Sequence, residues 1–105
     1  MSDISVSELK ERMDAGTAPK IIDVREIHEY EMGNIGVENI PMGSIPEKLS
    51  ELAGLKDQEV VIHCRSGGRS GNIVNFLKGQ GFTNVRNLTG GMMAWKAQID
   101  PSFQL

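Results

Sequence analysis

Cys64 is the single cysteine of the chain, and it opens the run Cys64-Arg65-Ser66-Gly67-Gly68-Arg69-Ser70. The residues before it, Glu59-Val60-Val61-Ile62-His63, form an apolar, β-branched stretch that predicts a short buried strand. The residues after it, Ser70 to Lys78, carry apolar positions at helical spacing. A thiol is thus placed where a strand ends, ahead of a glycine-rich turn into a helix N-terminus. The first amides of a helix have no intrahelical acceptor, and the helix dipole favours negative charge beside them. Two arginines flank the spot. A thiolate is favoured in such a field, and the thiolate is the nucleophile. The competing reading is a small buried hydrophobe. It leaves Arg-Ser-Gly-Gly-Arg unexplained, because paired glycines cost chain entropy and suit tight backbone or a close ligand.

Two chemistries fit a cysteine cupped by backbone donors. In phosphoryl transfer the thiolate attacks phosphorus and the cradle holds the oxygens. In sulfur transfer the thiolate accepts a sulfane sulfur and becomes a persulfide, whose anionic terminal sulfur the same amides stabilise.

The elements that must position the loop are legible. Ser5-Val6-Ser7-Glu8 has the form of a capping box, with Ile4 and Leu9 spaced as a hydrophobic staple. The helix it starts runs to about Ala15, and Gly16 stops it. Ile21-Ile22-Asp23-Val24 predicts a strand covered on both faces. Glu26 to Met32 predicts a short helix ended by Gly33, and Asn39-Ile40-Pro41 a brief extended piece. Ser44-Ile45-Pro46-Glu47 repeats the capping-box pattern and predicts a helix through about Ala53. Glu59–His63 and Val85–Leu88 are further strands, and Met92–Gln98 a last helix. This alternation predicts an α/β domain with a mainly parallel sheet. Ligands of such sheets bind beyond the carboxyl ends of the strands, where Cys64 falls.

At 105 residues the chain is expected to form one domain, 1–105. A lone cysteine forms no internal disulfide, which points to a reducing compartment and a cytoplasmic location. The N-terminus lacks the pattern of a secretory signal, and no apolar run approaches a membrane span. The net charge of -3 and scattered Lys and Arg argue against nucleic acid as a partner. Two separated histidines and one cysteine make a metal site unexpected, and nothing calls for a cofactor.

The chain resembles a single-domain rhodanese. The matching residues are Ile22-Asp23-Val24-Arg25-Glu26 with Glu29-Tyr30, Gly33, Asn39-Ile40-Pro41, Val61 through Ser70, Gly81-Phe82, and Leu88-Thr89-Gly90-Gly91-Met92 with Trp95. They cover nearly the whole chain in order. The resemblance implies a three-layer sandwich around a central mainly parallel sheet, and a persulfide on Cys64. It also implies a thiosulfate-like donor and a thiophilic acceptor such as cyanide or a thiol. His63-Cys64 is followed by four residues and then Arg69. Cysteine phosphatases and the related arsenate reductases have a loop one residue longer, so the short ring favours sulfur.

By residue, Cys64 is expected to be the nucleophile, and the amides from Arg65 to Ser70 the cradle. Arg65 and Arg69 would orient an anionic donor through their guanidinium forks; for Arg69, binding carbonyls or a carboxylate is the alternative. Gly67 and Gly68 would allow the curl. Ser66 and Ser70 would bond the sulfur, or Ser70 would cap the helix. Asp23 and Arg25 are expected to brace the site. The His63 ring should face away from Cys64, since adjacent strand residues point to opposite faces. His28, Glu29 and Glu31 are expected on a solvated face, and Trp95 in the core or at a pocket rim. One departure from the family's pattern stands out. Gly33-Asn34-Ile35-Gly36-Val37-Glu38 has Asn34 where the family usually has His, and is one residue shorter.

Two functional classes remain open: a thiosulfate-type sulfurtransferase, and a relay module that takes persulfide sulfur from another protein. A dead scaffold is disfavoured by the intact Cys64.

Overall fold

The computed structural model describes residues 3–105. Five strands, β1 (Asp3–Ile4), β2 (Lys20–Asp23), β3 (Glu38–Asn39), β4 (Val60–His63) and β5 (Val85–Leu88), form one sheet in the order β1-β5-β4-β2-β3. Every neighbouring pair is parallel. Helices α1 (Val6–Asp14), α2 (Ile27–Met32), α3 (Leu49–Leu52) and α4 (Gly68–Gly79) connect them, and α5 (Gly91–Gln98) follows the last strand. No described helix is long and apolar enough to cross a membrane.

The apolar side chains divide into two clusters, one on each face of the sheet. On one face Ile22, Val24, Val60, Ile62 and Val85 pack against Leu52 of α3 and Ile73, Val74 and Leu77 of α4. On the other, Ile4, Ile21, Val61 and Leu88 pack against Val6 and Leu9 of α1 and Met92 and Trp95 of α5. All four β4 residues are buried, as a strand covered on both faces requires. This is the expected three-layer arrangement, with β1 added as a fifth strand. Two residues are too few to show a period in the sequence.

The strand order reverses between β2 and β4. From β2 the chain steps outward to β3, and from β4 it steps the other way to β5. Ligand clefts form at such switch points, beyond the carboxyl ends of the strands. The end of β2 supplies Asp23, and the end of β4 supplies His63 and then Cys64.

Local signals held where they were short-range. Ser5 caps α1, its hydroxyl accepting from the Glu8 amide at 3.1 Å. The Glu8 side chain, expected to reach back, lies instead 3.6 Å from Arg86. The segment after Ser44 is not one helix. It is a 3-10 turn at Met42–Ser44, another at Pro46–Lys48, the single turn α3, and a third 3-10 turn at Ala53–Leu55. Ser44 caps nothing, because its own amide closes a turn onto Pro41 at 2.8 Å. Fully buried Ile45 and nearly buried Leu52 pin this segment to the sheet, and packing overrides the capping pattern.

Candidate active site

Cys64 follows β4, and its side chain is 1% exposed. The loop after it curls back so that its amides meet the sulfur. The Gly67 N–H donates to Sγ at 3.1 Å and the Ser70 N–H at 3.4 Å. Ser70 Oγ lies 3.3 Å from Sγ. Helix α4 starts at Gly68, two residues earlier than the sequence suggests, so Ser70 sits in its first turn rather than capping it. Gly67 has φ +106°, in the left-handed region that a side chain disfavours. Arg65, Ser66 and Gly68 are exposed along the loop.

Burial pushes the Cys64 thiol up, but the Ser70 hydroxyl and the amides of Ser70, Gly67 and Ser66 outweigh it. The net effect holds the thiol below its ordinary value.

The loop is held from behind by α5. The Met92 N–H donates to the Cys64 carbonyl at 3.0 Å, and the Met93 N–H to the Arg65 carbonyl at 2.8 Å. With both carbonyls engaged by α5, the N–H groups of Gly67 and Ser70 meet the sulfur. Gly91 makes this approach possible. Its φ is +53°, and a Cβ there would collide with the carbonyls of Cys64 and Arg65.

Arg69 takes the carboxylate role. It donates from both terminal nitrogens to Glu29 of α2, at 2.6 and 2.9 Å. Glu29, expected on a solvated face, is therefore part of the loop's support. Its carboxyl is lowered to about 2, chiefly by the bond from Arg69. Glu29 Oε1 also accepts from the Glu26 amide at 3.0 Å and so fixes the start of α2. Glu31 and His28 are exposed, as expected.

Asp23 and Arg25 form a fully buried pair. Arg25 donates to Asp23 at 2.7 to 3.1 Å from Nε, from a terminal nitrogen and from its backbone amide. Two further guanidinium hydrogens go to the carbonyls of Gly33 and Glu29. Arg25 thus ties the end of β2 to the middle of α2 and to the residue that ends it. His63 points to the Asp23 side of the sheet, away from Cys64. Burial pushes it down to about 4, so it is neutral near pH 7. Asn34, the departure from the family's pattern, makes its own local turn. It donates to the Tyr30 carbonyl at 3.0 Å and accepts from the Gly36 amide at 2.9 Å.

Three contributors escaped the sequence reading: Glu29, Gly91 and Asn87. Asn87 of β5 donates to the Gly67 carbonyl at 3.2 Å and accepts from the Ser70 hydroxyl at 2.6 Å. A carboxamide in a short strand, on the same face as buried Val85, was its only signal. Among the described residues no cluster of His, Cys, Asp and Glu is arranged to hold a metal ion.

A parallel sheet with a thiol seated in backbone amides at its switch point defines the class of this α/β protein. A family model described as a rhodanese-like domain matches residues 5–98, and the chain belongs to that family. It is 45% identical over 102 residues to the Bacillus subtilis protein YtwF, provisionally named a sulfurtransferase, with 96% of each chain covered. It is 37% identical over 99 residues to YrkF of the same organism, provisionally named a sulfur carrier protein. That match covers 93% of this chain and 52% of YrkF, about half its length. Among solved structures, a rhodanese-like domain protein from Staphylococcus aureus superposes with a TM-score of 0.83 at 32% identity, covering 100% of this chain and 98% of that one. Family and relatives together support a role in rhodanese-type sulfur transfer.

Proposed function

We propose that the chain is a single-domain sulfurtransferase that carries sulfane sulfur as a persulfide on Cys64, from a thiosulfate-like donor to cyanide or a thiol. The observation that carries this reading is the seat of Sγ: two amides and a hydroxyl converge on it at the N-terminus of α4. The thiolate attacks the outer sulfur of thiosulfate. A Cys64 S–S bond forms, the donor S–S bond breaks, and sulfite leaves with the electron pair. Cyanide then attacks the terminal sulfur, thiocyanate departs, and the thiolate is restored. The amides of the cradle stabilise the anionic terminal sulfur, and Arg65 at the loop's surface draws in the donor dianion. With no second cysteine, the persulfide cannot collapse to an internal disulfide. The intact mass of the protein is expected to rise by one sulfur atom with thiosulfate and to fall back with cyanide as thiocyanate appears. An unchanged mass with every small donor would overturn the thiosulfate reading.

One observation favours a second reading. Arg69 is neutralised by Glu29, so the cradle offers a small dianion only the one uncommitted guanidinium of Arg65. A site of this charge suits a donor positioned by protein contacts, as in a sulfur relay. Glu29→Gln is expected to release Arg69 toward the site and lower the KM for thiosulfate about three- to tenfold, the range of a partly exposed charge. An unchanged or higher KM would show that Arg69 serves only as a brace.

A further inference from the structure

Asn87 lies outside the loop and outside the blocks that carry the family resemblance. It is aligned with Ile62 of β4, so its side chain leaves the sheet on the α4 face, beside Cys64. Hydrogen-bond inventory fixes its orientation. The Gly67 carbonyl only accepts, so Nδ2 faces it at 3.2 Å. Oδ1 only accepts, and it faces Ser70 Oγ at 2.6 Å, so Ser70 is the donor there. A hydroxyl has one hydrogen to give. While Asn87 holds it, Ser70 meets Sγ, 3.3 Å away, only as an acceptor. That suits a neutral S–H. An anionic sulfur needs a donor, so the hydroxyl must turn to it and leave Asn87 Oδ1 bare.

We propose that Asn87 is a positioning residue for Cys64: it competes with the sulfur for the Ser70 hydrogen and couples the charge on the sulfur to the anchoring of the loop at Gly67. When Cys64 ionises, its proton goes to solvent and the Ser70 hydrogen changes acceptor; no heavy-atom bond is made or broken. The inference rests on Cys64 being the reacting group, but it concerns thiol ionisation rather than sulfur uptake. The charged groups around Cys64 are Arg65 on the loop and Arg69 of α4, the latter tied to Glu29 of α2. Asp23 and Arg25 are paired with each other, and neutral His63 shares their face of the sheet. None of these groups bonds to Asn87.

The chain's single cysteine makes thiolate ultraviolet absorbance against pH a direct readout, with Cys64→Ser as the blank. Asn87→Ala is expected to move the titration midpoint down by about half a pH unit to one unit, the worth of one hydrogen bond. Ser70→Ala should move it up, and adding Asn87→Ala to Ser70→Ala should move it no further. An upward or absent shift in Asn87→Ala, or a downward shift that survives without Ser70, overturns the proposal. Should the alanine variant not fold, Asn87→Asp, nearly the same shape, takes its place. Its carboxylate holds the hydroxyl more tightly, so the midpoint rises, and it rises less when Ser70 is alanine. An equal rise in both backgrounds overturns the coupling. Failure of sulfur uptake with these shifts intact would sink the transfer reading and leave this one standing.

Discussion

Cys64→Ser is expected to fold like the parent chain and to carry no sulfur at all. Serine keeps a small polar atom where Gly67 and Ser70 direct their amides, so the loop retains both donors. The loss in packing is one buried sulfur, a cost on the order of 1 kcal/mol or less. The chemical loss is complete, because a hydroxyl far from its ionisation range neither attacks a sulfane sulfur nor holds one as a stable anion. No other cysteine can substitute. Intact mass after thiosulfate, thiocyanate release and the thermal midpoint would be read on the same preparation. A serine variant that still gained sulfur, or still released thiocyanate above the buffer blank, would remove Cys64 from the mechanism. A variant that lost activity together with its fold would instead show that the thiol is structural.

The cradle was readable from sequence because its parts are consecutive. Cys64, Gly67 and Ser70 lie within one loop and one helical turn, and a strand ending in glycines before a helix has few ways to fold. The supports were not readable, because each arrives from elsewhere in the chain. Glu29 reaches Arg69 across 40 positions and Asn87 reaches Ser70 across 17. Nothing in the local pattern around Glu29 distinguishes a carboxylate that clamps an arginine from one that faces water. Gly91 was visible as a glycine, but its task, letting α5 approach the carbonyls of Cys64 and Arg65, exists only in the folded chain. The same logic explains the lost helix after Ser44. A capping box is a local preference worth about 1 kcal/mol. Burying Ile45 and Leu52 against the sheet contributes about 1.5–3 kcal/mol for each side chain, so the segment bends to meet the core.

The Asp23–Arg25 pair sets the second large expectation. Asp23→Ala strips a guanidinium that is only 1% exposed of its carboxylate partner, and the two carbonyls that remain, of Gly33 and Glu29, carry no charge. Breaking a buried pair from one side costs about 3–5 kcal/mol, a large share of the roughly 5–15 kcal/mol that holds a domain together. For a chain of this size that corresponds to a fall in Tm on the order of 15–25 °C. The double variant Asp23→Ala with Arg25→Met should regain much of it, since an apolar side chain in the same space leaves no bare charge. Thermal melts of the three proteins decide the matter. A single variant within about 1 kcal/mol of the parent, or a double no better than the single, would mean that the pair is not what holds β2 to α2. Function follows from the same geometry. Arg25 holds α2 at its middle and its C-terminal end, α2 presents Glu29, and Glu29 holds Arg69 on the helix that seats the sulfur. In the double variant the fold should therefore return before the loop's alignment does, because methionine fills the space without reaching the carbonyls of Gly33 and Glu29.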